Sequence, residues 1–298
     1  MGLDYRSIIG EAGMLLGLST KKGSEEETSL ANYVNMFGRD LLRRHEWPQR
    51  NTETFVTTFE PYSTGTVTVT VNSASVTGSG TTWSSLAGHK FGRGYAAPWY
   101  RIQANGSATA LTLTSNYLED TAAGVTYVVF EDEYDVAATL GSIREVYVMI
   151  GNEWVQLDYV VQPTFDASSI VPVGAGIPRT WSDCPSTTAQ TLRVRVSPVS
   201  DDVYRLRVHG LRRWVELTGD GDFHMMGEDF DQAMILGTAL YAQRVGGNRQ
   251  VTTVAEVDKM VESLWGNLKP KRNRPAVLGT FDAQGTSRLT YHLPEAAS

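Results

Sequence analysis

One cysteine, Cys184, stands in a chain of 298 residues. It excludes an intramolecular disulfide framework and any Cys-rich zinc site. With no histidine motif around it, Cys184 reads as a small buried hydrophobe rather than a nucleophile. Long apolar runs are equally scarce, and none approaches the ~18 residues that suggest a membrane-spanning helix. No basic flank followed by an apolar stretch opens the sequence, so no secretory signal is expected. Cations are also few: the net charge of -7 argues against a nucleic-acid reader, which carries a basic footprint. With 41% hydrophobic and 20% charged residues, the composition is that of a folded domain rather than a disordered chain.

Catalytic motifs are missing as well. "GAGIP" (174–178) lacks the helix-opening glycine and the βαβ context of a dinucleotide site. No Walker-type loop and no Gly-x-Ser-x-Gly elbow occurs. His45, His89, His209 and His292 are scattered, and none forms a His-x-x-x-His pair. "GDGDFH" (219–224) brings Asp220, Asp222 and His224 together, with Glu228 beyond, but the twelve-residue Ca²⁺ loop pattern is absent. Acidic residues ahead of a helix suit its dipole. The expectation is a non-enzymatic protein with no metal and no cofactor.

What is present is an ordered succession of helical and strand patterns. Ile8, Ile9, Ala12, Leu15 and Leu16 predict a helix over 5–18. Ser24 with Glu27 forms a capping box, and Leu30, Tyr33, Val34, Phe37, Leu41 and Leu42 follow on one face. Arg43, Arg44 and His45 suit the last turn, and Pro48 stops the helix. From 64 to 131 helical periodicity vanishes and short strands take over at 66–71, 75–77, 99–103, 111–114 and 125–130. "TVTVTV" (66–71) alternates with period two, and Trp83, Phe91 and Trp99 are available to fill a small barrel or sandwich. "IREVYVMI" (143–150) and "EWVQLDYVV" (153–161) flank the hairpin turn Gly151-Asn152. "LRVRV" (192–196) and "VYRLRV" (203–208) read as another hairpin around Pro198. Helices return with Phe230, Ala233, Met234, Gly237, Leu240 and Tyr241, ending at Gly246-Gly247, and then behind a second capping box at Thr253 and Glu256.

The expected fold is therefore α+β. Terminal helical pairs (1–63 and 221–269) form an α-helical bundle, a small all-β module (64–131) is inserted, and a β-hairpin region (132–220) and an extended arm (270–298) complete the chain. Period-two geometry puts Arg193 and Arg195 on one face of their strand, and Arg205 and Arg207 on one face of theirs. If these strands pair, four cations crowd one surface and call for an acidic counterpart. It is supplied by local Asp or Glu, by another subunit or a partner protein, or by DNA phosphate. In the arm, Lys271, Arg272 and Arg274 precede the spaced apolar anchors Phe281, Leu289 and Tyr291, which suggests docking on a partner.

Three segments resemble one family: the helix end "LLRRHEWPQR", the run "GIPRTW" with "LRVRVSPVSDDVYRLRVHGLRRWVELTGDGD", and "EDFDQAMILGTALYAQRVGG". Their order is similar to that in head-to-tail adaptor (connector, tail tubular or head-completion) proteins of tailed bacteriophages. "VTGSGTTW", "GHKF", "YRI" and "TLTSNY" resemble a small module of phage virion proteins. The resemblance implies a structural virion protein, assembled in the bacterial host cytoplasm and placed at the head-to-tail interface. It implies a ring, usually of twelve copies, docked below the portal protein and contacting a tail tube or nozzle protein. Double-stranded DNA would pass through the ring without sequence-specific binding, as an acidic conduit allows, and no membrane is involved. The subunit or portal contacts would fall to Arg193, Arg195, Arg205, Arg207 and the arm residues. An alternative stays open: a receptor- or glycan-binding phage tail protein, or a glycan-degrading one, using Trp83, Trp99 and Tyr100 of the β module on sugars.

Overall fold

The computed structural model describes residues 2–95, 97–162, 164, 174–185, 191–245 and 252–268. The fold is mixed α+β, with helices at both ends of the described chain and a curled antiparallel β module between them. Helix α1 spans Tyr5–Leu16 and α2 Glu25–Arg44; α3 spans Asp231–Val245 and α4 Val254–Leu268.

The caps follow from residue chemistry. Asp4 accepts the Ser7 amide at 2.8 Å to open α1, and Gly17 closes it in the left-handed region at φ 70, two residues short of the expected end. Ser24 accepts the Glu27 amide at 3.2 Å, while the Glu27 carboxylate reaches back to the Gly23 amide, one residue beyond a standard box. At α4 the box is reciprocal: Thr253 Oγ1 accepts the Glu256 amide and Glu256 accepts the Thr253 amide at 2.7 Å. His45 takes extended geometry as the C-cap of α2 rather than a place in its last turn. The expected stop at Gly246-Gly247 and the whole arm 270–298 lie outside the described residues.

The helical pairs share one core. Ile8, Ile9, Leu30, Val34, Phe37 and Leu41 bury their side chains against Phe230, Met234, Val257 and Val261 from the other end of the chain. Trp47, fully buried, sits among them; its indole N–H donates to the Leu41 carbonyl at 2.7 Å and its ring meets Phe230 and Trp265 edge-on. Asn35 ties this bundle to the segment after the last strand. Its amide oxygen accepts Trp214 Nε1 at 3.0 Å and the Leu217 amide at 2.9 Å.

Two four-stranded sheets form a sandwich beside the bundle. One has the order β1 (Asn51–Thr57), β15 (Arg205–Arg212), β10 (Leu140–Ile150), β11 (Glu153–Gln156). The other has the order β12 (Asp158–Tyr159), β13 (Thr180–Cys184), β14 (Arg193–Ser197), β9 (Glu133–Asp135). Val146, Val148, Leu206 and Val208 of the first sheet pack against Tyr134, Trp181, Val194 and Val196 of the second. The expected hairpin is present, with Gly151 at φ 60 in its turn, but its second strand stops at Gln156 rather than running to 161, and Asp158–Tyr159 pair with β13 of the other sheet. The expected hairpin of the two arginine strands is not. β14 bonds to β13 and β9, whereas β15 bonds to β1 and β10. Facing sheets let both apolar rows bury against each other, and they separate four cations that side-by-side pairing would crowd.

The module between β1 and β9 is a seven-stranded antiparallel half-barrel. Its order is β7 (Ala122–Val125), β2 (Thr66–Val69), β3 (Ser75–Ser79), β6 (Ala110–Leu113), β5 (Trp99–Ser107), β4 (Lys90–Gly92), β8 (Val128–Phe130). Val67, Val69, Trp83, Phe91, Ile102, Leu111 and Tyr127 fill its concave side. Val71, beyond the end of β2, is exposed.

Two glycines in the bundle test how tightly it is packed. A Cβ on Gly237 would lie 2.3 Å from the Phe37 ring, whereas one on Gly10 would meet nothing within 4 Å. Gly237→Ala should destabilise by about 1–3 kcal/mol through overpacking. Gly10→Ala should stabilise by about 0.5–1 kcal/mol, because alanine restricts the unfolded chain and suits a helix interior. Urea unfolding of the two variants checks both signs.

Candidate interaction surface

The four strand arginines have two separate destinations. β14 lies inside its sheet, and its Arg193 and Arg195 meet carboxylates of the same chain. Arg193 Nε donates to Asp135 Oδ1 at 2.9 Å and Nη1 to Glu133 Oε2 at 3.2 Å; Arg195 Nε donates to Asp132 Oδ2 at 2.8 Å. These acceptors belong to "EDEYD" (131–135), where the chain leaves β8 of the half-barrel and enters β9 of the sandwich.

The same acidic crossing receives cations from the module. Lys90, fully buried on β4, donates to Asp132 at 2.5 Å and Glu133 at 2.8 Å, and its ammonium lies 4.1 Å from the centre of the Trp99 ring. Arg101 is directly across from Lys90 on β5 and binds Glu133 at 2.6 Å and Glu131 at 3.2 Å. Like charges opposite each other would repel; here Glu133 contacts both. Burial pushes the Glu131 carboxyl above its usual range, against the pull of Arg101 and the Glu133 amide. Burial acts upward on Glu133 as well, but Lys90, Arg101 and Arg195 outweigh it and hold that carboxyl below its ordinary value. Cys184 borders this cluster. Burial, with Glu133 nearby, pushes its thiol up to about 12, so it is protonated at neutral pH.

β15 points its arginines the other way, onto the outer face of the first sheet. Strand register builds the rows Phe55–Arg207–Tyr147–Gln156 and Glu53–His209–Glu145 there, with Thr57 opposite Arg205 and Met149 opposite Trp154. The Arg205 guanidinium lies 4.0 Å from the centre of the Phe55 ring, and that of Arg207 lies 4.8 Å from Trp154 and 5.1 Å from Tyr147. Phe55 is 42% exposed, a large apolar ring held at the surface by a stacked cation. Arg207 Nε is buried without a hydrogen bond, its nearest carboxylate oxygen on Glu53 being 4.0 Å away. Tryptophan, tyrosine and arginine are the residue types that dominate binding hot spots.

Other residues singled out in the sequence take structural positions. Asp222 accepts the Thr218 and Gly219 amides, Asp220 pairs with Lys22, and His224 bonds to Asp231 at 2.8 Å. No group of three potential metal-ligating side chains occurs among the described residues. Trp83 and Tyr100 are core residues of the half-barrel: Trp83 donates to the Tyr127 hydroxyl at 2.8 Å, and the Tyr100 hydroxyl accepts the Leu118 amide. Trp99 is half-buried beneath Lys90. These aromatics therefore do not form a sugar platform. Lys271, Arg272, Arg274, Phe281, Leu289 and Tyr291 lie outside the described residues. Phe55, Tyr147 and Trp154 did not stand out in the sequence, although the alternating "TETFVT" (52–57) carried the signal of β1.

The acidic crossing makes a pH-dependent prediction. Glu133 has a folded pKa below its ordinary 4.5, so its contribution to stability is complete above that pH and lost as pH falls through the lowered value. Glu131, raised by burial, acts in the opposite sense: protonation on acidification relieves its cost. Lys90→Met strands buried carboxylates and should cost about 3–5 kcal/mol at pH 7. The deficit should narrow at pH 5 as those carboxylates take up protons. Urea unfolding at the two pH values measures it, and equal deficits would contradict the assigned role of Lys90.

No protein-family model matches this chain, and no curated protein matches it in a sequence search.

Proposed function

We infer that this chain is a structural virion protein: a ring-forming head-to-tail adaptor that docks below a phage portal, joins capsid to tail and forms part of the DNA channel. The observation that carries the reading is the outer sheet face, where Arg205 and Arg207 stack on Phe55, Tyr147 and Trp154. Such a face has the composition of a protein contact and sits on a rigid sheet backed by the sandwich core. The order of the segments that resemble phage adaptors supports it, as does the net charge of -7, which disfavours retention of DNA in a conduit.

On this reading Arg205 and Arg207 serve contacts with a neighbouring subunit or the portal. Arg193 and Arg195 serve them indirectly, by holding the acidic crossing in place. Lys271, Arg272 and Arg274, with Phe281, Leu289 and Tyr291, belong to an arm that reaches the portal or the next subunit.

Native mass spectrometry of the purified protein, alone and with a phage portal protein, tests the proposal. A closed oligomer of about twelve copies is expected, and a monomer under both conditions would overturn it. Arg207→Glu should weaken that assembly by about 2 kcal/mol without loss of the folded monomer, as judged by its melting curve. Deleting 271–298 should abolish portal binding in a pull-down while the ring persists.

A further inference from the structure

Strand β1 is the outermost strand of its sheet and bonds along its length only to β15. Its sequence "NTETFVT" (51–57) contains no proline or bulge, two of the means of protecting an edge, and a single charge, Glu53. Among the described residues, the Asn51 amide also bonds to the Pro48 carbonyl, and the backbone groups of Thr52–Thr57 bond only to β15. The core also thins toward this side: Leu206 and Val208 on β15 are fully buried, whereas Thr52, Thr54 and Val56 beside them are half-buried. An open, seven-residue strand of β-forming residues is a template for another strand.

A charge lies ready at this edge. Arg205 of β15 stacks on Phe55, whose ring also lies 6.0 Å from that of Trp154, and it makes no ion pair with any described residue. Stacking occupies the face of the guanidinium and leaves its in-plane N–H groups available to a carboxylate. Two residues along β1, on the same face, stands Glu53, half-exposed, with one carboxylate oxygen 3.3 Å from His209 Nε2.

We propose that β1 pairs antiparallel with β1 of a second copy, centred on Thr54, so that two four-stranded sheets become one of eight. In that register Phe55 faces Glu53 of the second copy, Val56 faces Thr52 and Thr57 faces Asn51. Opposed residues in an antiparallel pair share a face, so the carboxylate of Glu53 meets the guanidinium stacked on Phe55. Two-fold symmetry makes the contact twice. Neighbouring registers fail on charge: centring on Phe55 brings two Arg205 side chains together, and centring on Glu53 opposes two carboxylates. The length of the edge places this among small interfaces. The pairing goes beyond the adaptor reading and does not rest on it: a ring with portal and tail on opposite faces closes through head-to-tail contacts, so the two-fold pair belongs to the free protein.

Cysteine cross-linking tests the register in a Cys184→Ser background. Thr54→Cys, which faces its own copy, should form a covalent dimer on mild oxidation; Thr52→Cys, which faces Val56, should not. Sedimentation tests the charge contact. Arg205→Glu and Glu53→Lys should each weaken self-association about tenfold or more, and the double reversal should restore it, with melting curves establishing that each variant is folded. Equal cross-linking at 52 and 54, or self-association indifferent to the reversals, overturns the proposal. A native-mass ring combined with either failure leaves the adaptor reading standing. Dimers that obey the charge swap but never form a ring do the reverse.

Discussion

The structure depends most on the neutralisation of the four carboxylates of "EDEYD" (131–135), at the point where the half-barrel returns its chain to the sandwich. Lys90 and Arg101 approach from the module, and Arg193 and Arg195 from the sandwich. Burying such charges is costly unless each is paired and hydrogen-bonded. The four cations and four carboxylates satisfy that condition only when both bodies hold their relative positions. A displaced module would leave Lys90 in an apolar setting with nothing to bind. The junction therefore favours one docking geometry rather than a swinging appendage.

The chain ends impose the second constraint. Neither helical pair buries its apolar face alone; α1 and α2 complete their core with residues more than 180 positions away, such as Phe230 and Met234. Trp47 stands where α2 gives way to β1; its indole bonds to Leu41 of α2, and its ring meets Phe230 and Trp265 from the C-terminal pair. Between these two cores the first sheet presents a stacked arginine–aromatic face and an unguarded edge. Internal charges are thus committed to holding the fold, and those left outside stand where another protein can reach them.

Much of this was legible locally. N-caps at Ser24 and Thr253, the strand alternation of "TVTV" (66–69) and the turn at Gly151-Asn152 depend on neighbours within a few residues; the caps and the turn stand where expected, while the strand ends two residues early. The period-two placement of the arginines was also legible, but their partners were not. Arg193 and Arg205 sit in nearly identical sequence settings, yet one lies among carboxylates and the other lies on a phenylalanine. β1 escaped notice because seven alternating residues between a helix stop and a module give a weak signal.

By itself, then, the sequence determined the helices, several of the short strands and the absence of a disulfide framework, because these follow from periodicity, capping and residue type. Only the tertiary structure decided which strands are neighbours. Alternation says that a strand has two faces, but not which sheet it joins or what lies across from it. Separating β14 from β15 sent one pair of arginines into the acidic crossing and the other to the surface. That choice was made by burial and charge repulsion over long sequence distances, where no local pattern can record it.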